Sequence, residues 1–259
     1  MQHGICLLSL VPCRKEASNT SEMVTQLLFG ETYSILDSND EWLKIQIAYD
    51  QYECWINKKQ HTKLSEANFK HLQKSESFYN TSLISNINDN KQKFEFPLTL
   101  GAKLPFYSKE KIDFDNHSFT FEGSVCKGSD KKSAKHLLAT AQSLINSPYL
   151  WGGKSPFGID CSGFTQLVFQ MNGYQLPRDA SQQVEMGSPL NFVEESAPGD
   201  LTFFDNEEGK IVHVGIIIDH ERIIHASGKV RIDRFDHYGI HNSDTKKYSH
   251  TLRVIKRII

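Results

Sequence analysis

The spacing of apolar residues changes near residue 127, from strand-like to helical, and that change restricts the fold more than any other feature. Before it, runs rich in aromatic and β-branched residues alternate with polar turns. "TYSILDS" (32–38), "WLKIQIAYD" (42–50) and "YECWINK" (52–58) read as strands, with Asp37-Ser38-Asn39-Asp40 as one turn. After it, Ala134, Leu137, Leu138, Ala141, Leu144 and Ile145 recur at helical spacing, with Ser133 or Ser129 as N-cap and Pro148 as stop. Phe164, Leu167, Val168 and Met171 predict a second helix, and Gly173 suits its C′ position. Beyond it, "DLTFFD" (200–205), "HVGIIID" (213–219), "RIIHAS" (222–227), "VRIDRF" (230–235) and "TLRVIKRII" (251–259) read as strands. Helices followed by an antiparallel sheet predict an α+β domain.

The β-rich part contains a weak internal echo. "QLLFGETYSIL" (26–36) aligns with "PLTLGAKLPFY" (97–107): an apolar run, a glycine, then alternating apolar positions. With "HTKLSEANFKHLQKSESFYN" read as a connector, two small β-barrels of one type are expected; a single larger β domain is the alternative. The expected boundaries are 1–62, 63–127 (connector and second barrel) and 128–259. The opening run "MQHGICLLSLVPCRKE" reads as a strand rather than a secretory signal. It lacks a basic n-region, and Pro12-Cys13-Arg14 is a poor cleavage site.

Composition narrows the partners. The 259 residues are 39% hydrophobic and 23% charged with a net charge of -2, and no lysine or arginine block invites nucleic acid or an anionic membrane. No run reaches the roughly 18–20 apolar residues of a membrane span. Cys6, Cys13, Cys54, Cys126 and Cys161 are an odd, scattered set without CxxC, which argues against a disulfide framework or a thiol-rich zinc site and fits a reducing compartment.

One thiol stands apart. In "FGIDCSGFTQLVFQMNG" (157–173), Cys161 lies between Asp160 and Ser162 at the start of the second helix. Orphan amides and the helix dipole favour negative charge there, so a lowered thiol pKa and an oxyanion-stabilising site are expected. A thiol nucleophile needs a base. His213 and His225 lie in strand runs joined through Asp219-His220-Glu221, so position 213 falls opposite about 226 or 227 and the two histidines become direct or diagonal neighbours. That matches the logic of nucleophile, base and orienter. The alternatives are a packed thiol and two core histidines bonded to backbone. No HExxH and no second thiol near Cys161 point to zinc.

"PYLWGGKSPFGIDCSGFTQLVFQMNGYQLPRDASQQ", followed by "HVGIIID" and "IIHASG", resembles the papain-like NlpC family of bacterial cell-wall cysteine peptidases over about residues 130–259. "SEMVTQLLFGE" and "WLKIQIAYDQYECWINKKQ" resemble the bacterial SH3 domain that precedes such a catalytic domain. Together they resemble the γ-D-glutamyl-L-diamino acid endopeptidases, or dipeptidyl-peptidase VI group, of muropeptide recycling. The resemblance implies a papain-like domain behind two SH3-like barrels, with Cys161 as nucleophile, His213 as base and His225 as orienter. It implies that Tyr149 stands beside the catalytic centre, that Asp160 and Ser162 help hold the peptide, and that Glu53 of "YECW" reads the substrate amine. In that motif Cys54 replaces the usual glycine.

The implied reaction releases L-Ala-D-Glu from peptidoglycan stem peptides with a free N-terminal L-alanine, through a thioester and with no metal or organic cofactor. The alternatives are an amidase or endopeptidase acting on intact wall, and a non-catalytic wall-binding protein. A cytoplasmic monomer is expected, with the periplasm as the lesser alternative, and neither nucleic acid nor membrane is an expected partner.

Overall fold

The opening run that reads as one strand forms two, His3–Ile5 and Leu10–Arg14, in a computed structural model that describes residues 2–259. The described chain divides into two units: residues up to Asp130 with Gly152–Ser155, and Lys131–Trp151 with Pro156–Ile259.

The first unit holds two main antiparallel sheets. Seven strands run in the order Met23–Leu28, Leu10–Arg14, Glu53–Asn57, Trp42–Ile47, Thr32–Ser38, His3–Ile5 and Thr62–Leu64. Four more run in the order Phe94–Thr99, Ile84–Asp89, His117–Thr120 and Lys111–Phe114. One apolar cluster serves both: Ile5, Phe29 and Leu64 from the first part of the unit pack with Ile87, Leu98 and Phe119 from the second. The two sheets therefore belong to one unit. The echoed glycines do share a conformation, Gly30 at φ 79° and Gly101 at φ 82°, the left-handed region that glycine tolerates best. A Cβ on Gly30 would also run into the Lys103 carbonyl.

The stretch read as a connector contains α1 (Glu66–Lys74), capped by the Ser65 hydroxyl on the Asn68 amide. Its one buried residue is Leu72, too sparse an apolar stripe to register as periodicity. Cys54 is 2% exposed and packs with Cys6 and Cys13 in a second apolar cluster, so the thiol in place of glycine is a core side chain.

The first unit also encloses an ion pair. Lys154 Nζ lies 2.6 Å from Glu31 Oε1, with side chains 1% and 3% exposed. Glu31 Oε2 accepts from the Leu28 amide, and Gln26 Oε1 accepts from the Lys154 amide.

In the second unit, α2 (Ala134–Ser143) ends earlier than Pro148 implies, because Asn146 turns the chain at φ 68°. In α3 (Cys161–Gln170) all ten residues are buried. A one-turn α4 (Ala180–Gln183) follows. The sheet then runs Ser188–Leu190, Lys247–Arg257, Leu201–Asp205, Ile211–Asp219, Arg222–Ser227, Lys229–Asp236 and Gly239–Asn242. Gly239–Asn242 pairs also with Lys247–Arg257, so six of these strands close into a ring without a free edge. The helices precede this sheet in the chain, and α3 packs on Ile211–Asp219 and Arg222–Ser227.

Removing one partner of a buried ion pair leaves an uncompensated charge. Lys154→Ala is therefore expected to lower unfolding free energy by about 3–5 kcal/mol, and the Lys154→Met, Glu31→Gln double variant by less. Urea denaturation of the three proteins measures both.

Candidate active site

Asp160 sets the start of α3. It sits at the N-cap with β-region dihedrals, and its Oδ1 accepts from the Gly163 amide at 2.6 Å. The same carboxylate is gripped by Arg178, whose Nη1 donates to Oδ1 at 3.0 Å and Nη2 to Oδ2 at 2.7 Å. Arg178 Nη1 also donates to Ser162 Oγ at 2.9 Å. Asp160 and Ser162 thus have internal partners. Arg178 and Gln183, both from "RDASQQ", are the residues that supply this bracing: Gln183 Nε2 donates to the Ser162 carbonyl at 3.0 Å, and its Oε1 accepts from Thr165 Oγ1 at 2.7 Å. No role for Arg178 follows from the sequence, where nothing marks it as the partner of Asp160.

Cys161 is the first residue of α3 and 6% exposed. The Val214 and Ser162 amides hydrogen-bond its sulfur, and Val214 directly follows His213, so nucleophile and base candidates converge. Burial first, and then the Asp160 charge, push the thiol up to about 12 against the opposing effects of these amides and Arg178. The expected lowering by the helix start is therefore not what the structure gives: desolvation outweighs it. Tyr149 couples electrostatically to Cys161, and burial raises its phenol as well.

The hairpin register is as the sequence implies. Gly215 pairs with His225 and Ile216 with Ile224, which puts position 213 across from 227 and diagonal to His225. His213 Nε2 lies 2.8 Å from His225 Nδ1. His225 Nε2 lies 3.1 Å from Asp233 Oδ2. Asp233 in turn accepts from Arg231 Nη2 and from the Ser243 amide, each at 3.0 Å. Arg231 Nε is 2.7 Å from Asp233 Oδ2 but lacks the alignment of a hydrogen bond. The His250 ring stacks on His213 with centroids 4.1 Å apart.

Asp233, Arg231 and His250 are absent from the sequence reading. Asp233 was within reach of the same hairpin argument: Ser227 pairs with Lys229 about Gly228, which sets His225 opposite Arg231 and Ile223 opposite Asp233. His250 comes from a distant strand, and no local pattern marks it.

Burial keeps the imidazoles neutral. His213 is held well below its ordinary value by burial and by His225 and His250. His250 is pushed down to about 4, chiefly by burial. Burial also lowers His225 and outweighs the opposing pull of Asp233, so their contact is a hydrogen bond rather than an ion pair. Asp233 itself is held below the usual carboxylate range: burial opposes this, but bonds from His225, the Ser243 amide and Arg231 prevail.

Glu53 lies in the first unit. It is half exposed and paired with Lys44 at 2.7 Å. Among the described residues no group of histidine, cysteine and carboxylate side chains is arranged to hold a metal ion, and no helix is long and apolar enough to cross a membrane.

The NlpC/P60 family pattern matches residues 146–249, and that of the bacterial dipeptidyl-peptidase SH3 domain matches residues 13–60. A Bacillus subtilis protein named γ-D-glutamyl-L-lysine dipeptidyl-peptidase is 32% identical over 217 residues, 78% of this chain and 71% of that one. This chain belongs to the NlpC/P60 family. Dipeptidyl-peptidase 6 of Lysinibacillus sphaericus is 26% identical over 80% of this chain and 81% of its own length. An NlpC/P60 family protein from Bacillus cereus shares the fold, with TM-score 0.82 at 19% identity over 99% of both chains. The papain-like fold of the family thus accounts for the sheet of the second unit, and one SH3 domain for residues 13–60 of the first.

Buried His213 and His225 and partly buried His250 make stability depend on acid. Each stays neutral in the folded chain, whereas in the unfolded chain it takes up a proton near pH 6.5. The unfolded state therefore binds more protons below that value, and stability falls as pH drops through it. The expected extra slope is up to about 1.4 kcal/mol per pH unit for each histidine. Urea midpoints at pH 7, 6 and 5 measure it, and a His213→Gln, His250→Gln variant is expected to have the shallower dependence.

Proposed function

We propose that this chain is a cysteine peptidase that cleaves the amide between γ-D-glutamate and a diamino acid in peptidoglycan stem peptides. It releases L-Ala-D-Glu from stems with a free N-terminal L-alanine, a murein-recycling reaction. The observation that carries the chemistry is the 2.8 Å contact of His213 with His225, made where the next amide, that of Val214, reaches the Cys161 sulfur. The substrate class rests on the names of the relatives found over most of the chain.

Cys161 Sγ attacks the γ-carbonyl carbon while His213 accepts the thiol proton. The amides at the start of α3 and the Tyr149 hydroxyl serve as the donors that stabilise the oxyanion. The imidazolium then returns the proton to the leaving amine, and a thioester remains. His213 next deprotonates a water that attacks the thioester, and the thiol leaves with that proton. His225 holds His213 in position throughout. Asp160 and Ser162 hold the peptide indirectly, by fixing the first turn of α3 through Arg178.

A dipeptidyl enzyme has to count from a free amine. Glu53 reads that ammonium, for which Lys44 is the exchangeable partner in the free protein. The second sheet of the first unit serves as a second SH3-like module. The five free thiols, three of them packed in one core, support a reducing, cytoplasmic setting.

Cys161→Ala is expected to abolish release of dipeptide from free stem peptide while the thermal melt stays close to wild type. His213→Ala is expected to lose at least 10²–10⁴-fold in kcat, and His225→Ala to keep measurable turnover. Activity on polymeric wall but none on free stem peptide would instead assign the protein to intact wall.

For the amine reader, acetylation of the stem peptide should nearly abolish cleavage. Glu53→Gln should raise KM for the free amine about 3–10-fold, a half-exposed carboxylate being partly screened, and leave the acetylated peptide unchanged. Equal cleavage of free and acetylated peptide by the wild type would show that the amine is not read.

A further inference from the structure

The carboxylate behind His225 determines which nitrogen of His213 is able to act. An ionised carboxylate only accepts hydrogen bonds. Asp233 is 2% exposed, and Arg231 and the Ser243 amide hold it ionised. Its 3.1 Å contact with His225 Nε2 therefore requires a proton on that nitrogen. A neutral imidazole carries a single N–H, so His225 Nδ1 is bare and must accept. The group facing it at 2.8 Å is His213 Nε2, which must then be the donor. His213 in its neutral state is left with a bare Nδ1, the one atom able to take a proton from sulfur.

We infer that Asp233 is a positioning residue that fixes the tautomers of both histidines, so that His213 Nδ1 is the base. Asp233 does not touch substrate; it acts through His225. The inference rests on the peptidase reading for its consequence in turnover, but the tautomers themselves can be observed without substrate. Arg231 has its own second anchor, Asp244 at 2.7 Å from Nη1, and serves to keep the carboxylate charged and oriented. His250 stacks on His213 and bonds Ser249 Oγ through Nδ1, so it does not compete for His213 Nε2. When His213 becomes an imidazolium it still donates to His225, and the polarised His225 relays the charge to Asp233. The relay steps diagonally across three adjacent strands, whose register fixes its members relative to one another.

The critical variant is Asp233→Asn. The amide presents an N–H₂ toward His225 Nε2, which then accepts. His225 moves its proton to Nδ1, His213 Nε2 must accept in turn, and the His213 proton shifts to Nδ1. The base is blocked by its own proton although no atom near the thiol has been removed. Asp-to-Asn replacement behind a catalytic histidine in a serine protease costs about 10⁴ in kcat by this route.

The experiment has two independent arms. Nitrogen-15 NMR of the imidazoles in the substrate-free protein is expected to show protonated Nε2 on His213 and His225 in the wild type, and protonated Nδ1 on both in Asp233→Asn. In turnover of free stem peptide, the same variant is expected to lose about 10²–10⁴-fold in kcat with KM within about twofold, and Asp233→Glu to recover part of the loss. Unchanged tautomers in Asp233→Asn, or kcat within threefold of wild type, overturn the inference. Should Asp233→Asn fail to fold, Arg231→Met keeps the carboxylate; wild-type tautomers there support the inference and swapped ones overturn it. If the wild type cleaves no stem peptide, the peptidase reading fails, and the NMR arm still decides the tautomers.

Discussion

A guanidinium with 1% of its side chain exposed is tolerable in a protein only if its donors find acceptors, and Arg178 finds them at the start of α3. Two bonds to Asp160 and one to Ser162 occupy the face of the fork. The Asp160 oxygen is therefore shared between a buried cation and the Gly163 amide, so the N-cap cannot move without stranding a charge. Because Cys161 is the next residue, the position of the thiol is fixed by an ion pair that does not touch it. Gln183 adds a second brace from α4 to the Ser162 carbonyl. The segment after α3 thus folds back to hold the end where α3 begins.

The other half of the site rests on strand geometry. Side chains two apart on a strand share a face; the second hairpin keeps one register throughout, and the first shifts only beside its turn, between Ile217 and Asp219. That places His213, His225 and Asp233 in sequence across three adjacent strands, on the face that carries Ile217, Ile223 and Phe235. Closure of the six strands removes any edge that could slip. The helix N-terminus and the strand relay meet where the Val214 amide reaches the sulfur.

Much of this was legible. Strand runs at 32–38 and 42–58, both helices of the second unit and the His213–His225 juxtaposition follow from apolar period and turn length. What failed to show has identifiable reasons. Sparse apolar positions hid α1. The last strand pairs with three others, Ser188–Leu190, Leu201–Asp205 and Gly239–Asn242, which no local pattern encodes. Arg178 looks like any turn arginine until Asp160 is known to lie against it. Asp233 becomes legible only when the hairpin register is extended past Gly228. The expected lowering of the thiol pKa does not hold because a helix start is visible in sequence and burial is not.

That last point bears on how the site works. Burial acts on Cys161 and His213 in opposite senses, raising the thiol and lowering the imidazole. Both directions favour a proton on sulfur at rest. A permanent thiolate–imidazolium pair would stabilise the ground state along with the transition state, and only the difference between them speeds a reaction. Here the Val214 and Ser162 amides aimed at the sulfur, and the carboxylate two bonds behind His213, favour charges that exist only once the proton has moved. The relay costs nothing to assemble at that moment, because Arg178 on one side and Arg231 on the other already hold its ends in place.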